Sequence, residues 1–199
     1  VLVGTTDTPV DRALLEPRPL EEEIDFILKH AAQYMVEAPT REDILCVFAG
    51  LRPLVGAGEG KKTASISRDH HLEVSQSGLV TITGGKWTTY RKMAEDAVNQ
   101  AALIAGLPES ECRTRTLRIH GWLKHMDPAD PLWGYGSDAV SIRRIVDTDS
   151  RMGEKLHDNL PYVKAEVVWA VRHEMALTLE DVLARRTRSL ILDAAASMG

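Results

Sequence analysis

The sequence is poor in several things, and each shortage removes a class of protein. Among 199 residues there are two cysteines, Cys46 in an apolar run and Cys112 in a polar loop. That is too few for a disulfide framework, and their setting suits reduced thiols in a cytoplasmic compartment. Aromatic residues make up 5% and Phe occurs twice. No apolar run approaches the roughly 20 residues of a membrane-spanning helix, and no secretory leader opens the chain. Positive charge is in deficit, with a net charge of -5 at pH 7, which argues against a general nucleic-acid binder.

Familiar fingerprints fail on counting. In "VGAGEGKKT" a phosphate loop would need Gly at Val55 and Ser or Thr at Lys62. "GAGEG" brings its third Gly one residue too early for a dinucleotide turn. "DTDSRMGEKLHD" places Met152 where a calcium loop needs Gly and Asp158 where it needs Glu. The histidines, among them His70, His71, His120, His125, His157 and His173, have no metal-ligand spacing with Cys or acids, so no metal site is expected.

What is there is ordinary globular material, 44% hydrophobic and 27% charged, enough for one domain or two small ones. The chain opens "VLVGTTDTPV" in strand pattern without an initiator Met, and we expect a piece of a longer protein. The spacing predicts a helix over Leu20–Met35 and a capping pair at Thr40 and Asp43. It predicts a strand within Ile44–Val55, a flexible turn over Gly56–Lys62, then two or three short strands with a hairpin turn at Ser77-Gly78. One long helix, about Thr88 to Ala105, should end at Gly106 and Pro108. After a loop rich in Gly, Pro and aromatics, helical period returns over 137–146, 164–175 and 179–196, with a start signal at Thr178 and Asp181. The reading is an α/β front part and an all-α back part, α+β overall, with domains 1–110 and 111–199. The basic run Arg185, Arg186, Arg188 is expected to be a solvated helix face balanced by Glu180 and Asp181.

One junction carries more chemistry. In "LVTITGGKWTTYRKMAEDAV" a strand meets a helix at Gly84-Gly85-Lys86. A helix start exposes unpaired N–H groups and a partial positive charge. Glycines before it allow another molecule to touch the backbone, and Lys86 adds a cation. Taken locally, a tight turn with a surface Lys is the better explanation. Arg52 in "AGLRPL" and Arg68 in "SISRDH" add two guanidinium groups amid apolar strand pattern. Each needs its charge matched, either by an acid such as Asp7 or Asp69 or by a bound dianion such as a phosphate.

At these residues the chain resembles a known family. "GTTDTP", "FAGLRPL", "ISRDH" and "GLVTITGGKWTTYRKMAEDAV" are similar, in order, to the FAD-dependent glycerol-3-phosphate dehydrogenases, and "EMALTLEDVLARRTR" resembles their helical C-terminal domain. The resemblance implies that 1–110 is the last part of an amino-acid-oxidase-like domain. That part is a partial mixed or antiparallel sheet of the substrate domain with a strand–helix unit against the flavin. It implies FAD as cofactor in the full-length protein and sn-glycerol 3-phosphate as substrate. Arg52 and Arg68 would grip the phosphate. Gly84, Gly85, Lys86, Trp87 and Thr88 would lie against the ring, and Lys86 would act in catalysis. The base is left open, with His70 a weak candidate. Electrons would pass to a quinone, or to O2 in the related oxidases. The resemblance further implies a cytoplasmic location, with peripheral contact on the inner face of the plasma membrane, and a homodimer. A chain ending at Gly199 without calcium loops leads us to expect a bacterial type. A stand-alone phospho-ligand module without redox chemistry, and another amino-acid-oxidase-like flavoprotein, are the competing expectations.

Overall fold

The computed structural model describes residues 1–52 and 69–199, and the chain forms two compact units. One comprises Val1–Arg18 and Gly50–Leu117; the other comprises Pro19–Ala49 and Arg118–Gly199. The described residues are mostly helical, with one two-stranded antiparallel sheet.

In the first unit, strands β1 (His70–Val74) and β2 (Val80–Gly84) pair from His70 opposite Gly84 to Val74 opposite Val80. Their alternation puts His70, Leu72, Val80 and Ile82 on the half-buried side, with His71, Glu73, Thr81 and Thr83 exposed. The Ser77-Gly78 turn forms where expected. The Gly78 N–H donates to Ser75 O at 2.9 Å, and Gly78 takes φ 84°, the left-handed residue that lets a five-residue loop close a hairpin. A 3₁₀ turn, Trp87–Thr89, then leads into helix Tyr90–Ile104. This helix stops as Gly106 and Pro108 predict. Gly106 has φ 65°, its N–H donates to Leu103 O, and the Leu107 N–H donates to Ala102 O, which is the Schellman pair of bonds.

The expected strands at Val1–Thr5 and within Ile44–Val55 do not form in the described residues. A strand exists only as a paired element, and nothing described here pairs with either segment. The turn at 56–62 lies outside the described residues.

The second unit is held by helices. With Tyr90–Ile104 as α2, they are α1 (Glu21–Ala31), α3 (Ala139–Thr148), α4 (Lys164–His173), α5 (Ser189–Leu192) and α6 (Ala194–Met198). Leu132, Ala139, Ile142, Ala165 and Trp169 make its core, where α3 meets α4. Ala170, Ala176 and Val182 form a second cluster. The helix expected as continuous over 179–196 is broken. Asp181–Arg186 is a π-helix, Arg188 is left-handed at φ 58°, and Asp193 is extended and caps α6 by accepting from the Ala196 N–H. Thr187 donates its hydroxyl to Val182 O at 2.7 Å, which competes with the regular ladder.

Candidate functional site

The Gly84-Gly85-Lys86 junction sits at the open end of the hairpin. Gly84 and Gly85 have φ 74° and 78°, a conformation that costs an L-residue about 1–2 kcal/mol. A Cβ at Gly85 would lie 2.4 Å from Met93 Sδ and 3.4 Å from His70 Cβ. The missing side chain of Gly85 is therefore used internally, to seat the turn on α2. Gly78, at the other end of the hairpin, places its would-be Cβ 3.8 Å from Ile104. Contacts at Met93 and Ile104 thus lay α2 along the whole hairpin, since 11 residues of helix span about the length of a five-residue strand.

Lys86 is extended and begins the helical turn. Its N–H donates to Thr89 Oγ1 at 3.2 Å, and the Thr89 hydroxyl donates to Lys86 O at 2.9 Å. Lys86, Trp87 and Thr88 are exposed. Trp87 stacks on Tyr90 with ring centroids 5.6 Å apart. Among the described residues the Lys86 ammonium has no hydrogen-bond or ion-pair partner. An exposed cation, two left-handed glycines and a helix start form a surface suited to a flat anionic group.

Beside the turn stands a pair that sequence reasoning missed. His70 Nε2 lies 3.0 Å from Asp96 Oδ2, and Lys92 Nζ donates to Asp96 Oδ1 at 2.7 Å. The Lys92 ammonium, and after it the His70 ring, hold the Asp96 carboxyl below the ordinary range. A carboxylate only accepts, so His70 donates from Nε2. His70 and Asp96 are separated by 26 residues, and no local spacing announces a pair so distant. Next to them Glu95 accepts from Arg91 at 2.9 Å.

Arg52 is not in a strand. It is exposed, and its Nη1 donates to both carboxylate oxygens of Asp7, at 2.6 Å to Oδ1. Of the two ways to match its charge, the ion pair with Asp7 is the one present. Arg68 lies outside the described residues. Arg52 and Lys86 belong to the same compact unit.

The helical unit holds one buried acid. Glu166, 2% exposed, accepts from the Tyr135 hydroxyl at 3.0 Å and from the Val163 N–H at 2.7 Å. Burial pushes its carboxyl up despite those two bonds, and burial beside Glu166 pushes the Tyr135 phenol up as well. The basic run is balanced as expected at Arg185, which donates to Glu180 at 2.7 Å and to Asp181 at 2.9 Å. The Thr178–Asp181 start signal forms in full. The Thr178 hydroxyl accepts from the Asp181 N–H, and Asp181 accepts from the N–H groups of Leu177 and Thr178. Both cysteines are free. Among the described residues no helix is long and apolar enough to cross a membrane.

Residues 52–199 match the family described as the C-terminal domain of alpha-glycerophosphate oxidase. The chain is 38% identical over 215 residues to a probable mitochondrial glycerol-3-phosphate dehydrogenase of Caenorhabditis elegans, covering 96% of this chain and 30% of that protein. It is 36% identical over 219 residues to the mitochondrial glycerol-3-phosphate dehydrogenase of Homo sapiens, covering 98% and 30%. It is 36% identical over 228 residues to a mitochondrial glycerol-3-phosphate dehydrogenase of Arabidopsis thaliana, covering 96% and 35%. The chain spans about a third of the length of these curated relatives.

Proposed function

The chain belongs to the family of the C-terminal domain of alpha-glycerophosphate oxidase, and from that membership we propose that it is part of a flavin-dependent oxidoreductase that converts sn-glycerol 3-phosphate to dihydroxyacetone phosphate. The observation that carries the proposal is Lys86, exposed and without a partner among the described residues, beside two left-handed glycines at a helix start. Gly84, Lys86, Trp87 and Thr88 fit a flat, electron-accepting ring, and Gly85 lets the turn lie flat on Met93 beneath it. Bound there, FAD supplies the site that accepts hydride from the substrate C2 carbon. The positive pole of α2 and the Lys86 ammonium favour negative charge at that site. In this reading Lys86 also hydrogen-bonds the C2 oxygen, whose proton leaves to a base in the remainder of the full-length protein as the hydride departs.

In this proposal Arg52 and Arg68 bind the phosphate. Among the described residues Arg52 engages Asp7 through Nη1, which leaves its Nε and Nη2 donors for a second anion. Binding energy at the remote phosphate fixes the reacting carbon against the cofactor. The partial sheet β1–β2 with α2 is read as the flavin-contact end of a larger amino-acid-oxidase-like domain. A quinone is the proposed acceptor, in keeping with the dehydrogenase names of the relatives. The oxidase named in the family description supports O2 as the second reading.

The test is a steady-state assay of the full-length protein that carries this chain, with sn-glycerol 3-phosphate and either a quinone analogue or O2. Substrate-dependent reduction of the quinone analogue, lost on Lys86→Met, is expected. Turnover with O2 alone selects the oxidase reading. No substrate-dependent reduction of either acceptor overturns the proposal. The 199-residue chain alone should form no stoichiometric yellow complex when titrated with FAD; such a complex would contradict the assignment of the main cofactor-binding region to the remainder of the protein.

A further inference from the structure

The turn 84–86 is a weak element by itself. Two successive left-handed glycines give it no intrinsic preference for one path, and among the described residues the bonds of Lys86 reach no further than Thr89. Its ends are nevertheless fixed. Gly84 is the last residue of β2 and pairs with His70 across the sheet. From the other side, α2 presents Met93 under Gly85, and one turn later Asp96 reaches back to the His70 ring. Met93 and Asp96 are three residues apart and so share a face of the helix. Lys92 takes the second oxygen of Asp96, which leaves the carboxylate one orientation toward His70. The side chains of His70 and Asp96 are 24% and 28% exposed, partly shielded from water.

We propose that His70 and Asp96 are a positioning pair, which ties β1 to α2 and so sets where the Gly84-Gly85-Lys86 turn holds the Lys86 ammonium and the first amides of α2. The inference deepens the flavin-linked reading above and rests on it for its catalytic consequence. Asp96 acts through His70 and the backbone, and neither is proposed to exchange a proton with substrate. Part-exposed ion pairs contribute little to global stability. A displacement of about 1 Å at a reacting group, by contrast, can cost on the order of 100-fold in rate. The expected signature is therefore a change in catalysis out of proportion to any change in stability.

The experiment uses the full-length protein loaded with FAD and compares wild type with Asp96→Ala and Asp96→Asn. For Asp96→Ala we expect kcat to fall by about 10- to 100-fold, with KM for sn-glycerol 3-phosphate within about 2-fold, because the phosphate-binding arginines are untouched. The midpoint potential of the flavin should move to more negative values, since a displaced positive pole favours the reduced ring less. Asp96→Asn keeps an oxygen that accepts from His70 Nε2, and it should recover most of both losses. Unchanged kcat and potential in Asp96→Ala, or an Asn variant as impaired as the Ala variant, overturns the proposal. If Asp96→Ala does not fold, His70→Ala, which leaves the Lys92–Asp96 pair within α2 intact, is read by the same criteria. A wild-type protein that binds no flavin overturns the functional reading alone. Amide hydrogen exchange at Gly85, Lys86 and Trp87 then decides the positioning claim: faster exchange in Asp96→Ala supports it, and unchanged exchange overturns it.

Discussion

At the scale of single residues, two acids of the helical unit answer pH in opposite directions. Burial raises Glu166, so its folded value lies above its unfolded one. Its contribution to stability is fully present at acid pH and is lost as pH climbs through that raised value. Glu166→Gln should remove this dependence and unfold at higher denaturant than wild type near neutral pH. Glu166→Ala, which strands the Tyr135 hydroxyl and the Val163 N–H, should cost about 1–3 kcal/mol at every pH. Denaturant midpoints measured across pH check both. Asp181 is the reverse case. The N–H groups of Leu177 and Thr178 hold it down to about 2. Its contribution is present above the ordinary carboxylate value and is lost as pH falls through that lowered one. Asp181→Asn should be destabilised at neutral pH, with the difference from wild type closing in strong acid. The Thr178–Asp181 pair was legible as a pattern of residue types. The depth of Glu166 was not, because a Glu at a helix's third position reads as an exposed cap.

At the scale of elements, helix α2 was legible from start to stop. Its apolar spacing, the glycine at its end and the proline beyond are local signals, and local hydrogen bonds enforce them. Gly106→Ala should therefore cost about 1 kcal/mol, read as a lowered denaturation midpoint. The predicted strands at the N-terminus and before Pro53 did not form because a strand needs a neighbour, and a single sequence does not name one. The last helix broke because Thr187 and Ser189 turn their hydroxyls onto backbone carbonyls and Arg188 takes a left-handed conformation between them. Arg188→Gly removes that conformational penalty and should raise stability by about 0.5–1 kcal/mol. A loss of stability instead would mean that the Arg188 side chain makes a compensating contact.

At the scale of the whole molecule, the helical unit gathers Pro19–Ala49 together with Arg118–Gly199. No composition shift marks that grouping, since it joins segments far apart in the chain. The candidate site was half legible. The cationic helix start at Lys86 follows from residue type and order. The Asp7 partner of Arg52 was one of two acids weighed, and the His70–Asp96 pair had no signal at all. The central claim is that Lys86 and the two arginines serve one reaction centre, the cation acting at the ring and Arg52 at the phosphate. It is tested most directly by titrating sn-glycerol 3-phosphate anaerobically into the full-length protein loaded with FAD and following the bleaching of the flavin's visible absorption. The account predicts rapid bleaching in wild type. Arg52→Ala should need about 100-fold more substrate for half-bleaching, while Lys86→Met should bleach slowly even at saturation. Bleaching that is the same in all three proteins, or absent from wild type, would contradict it.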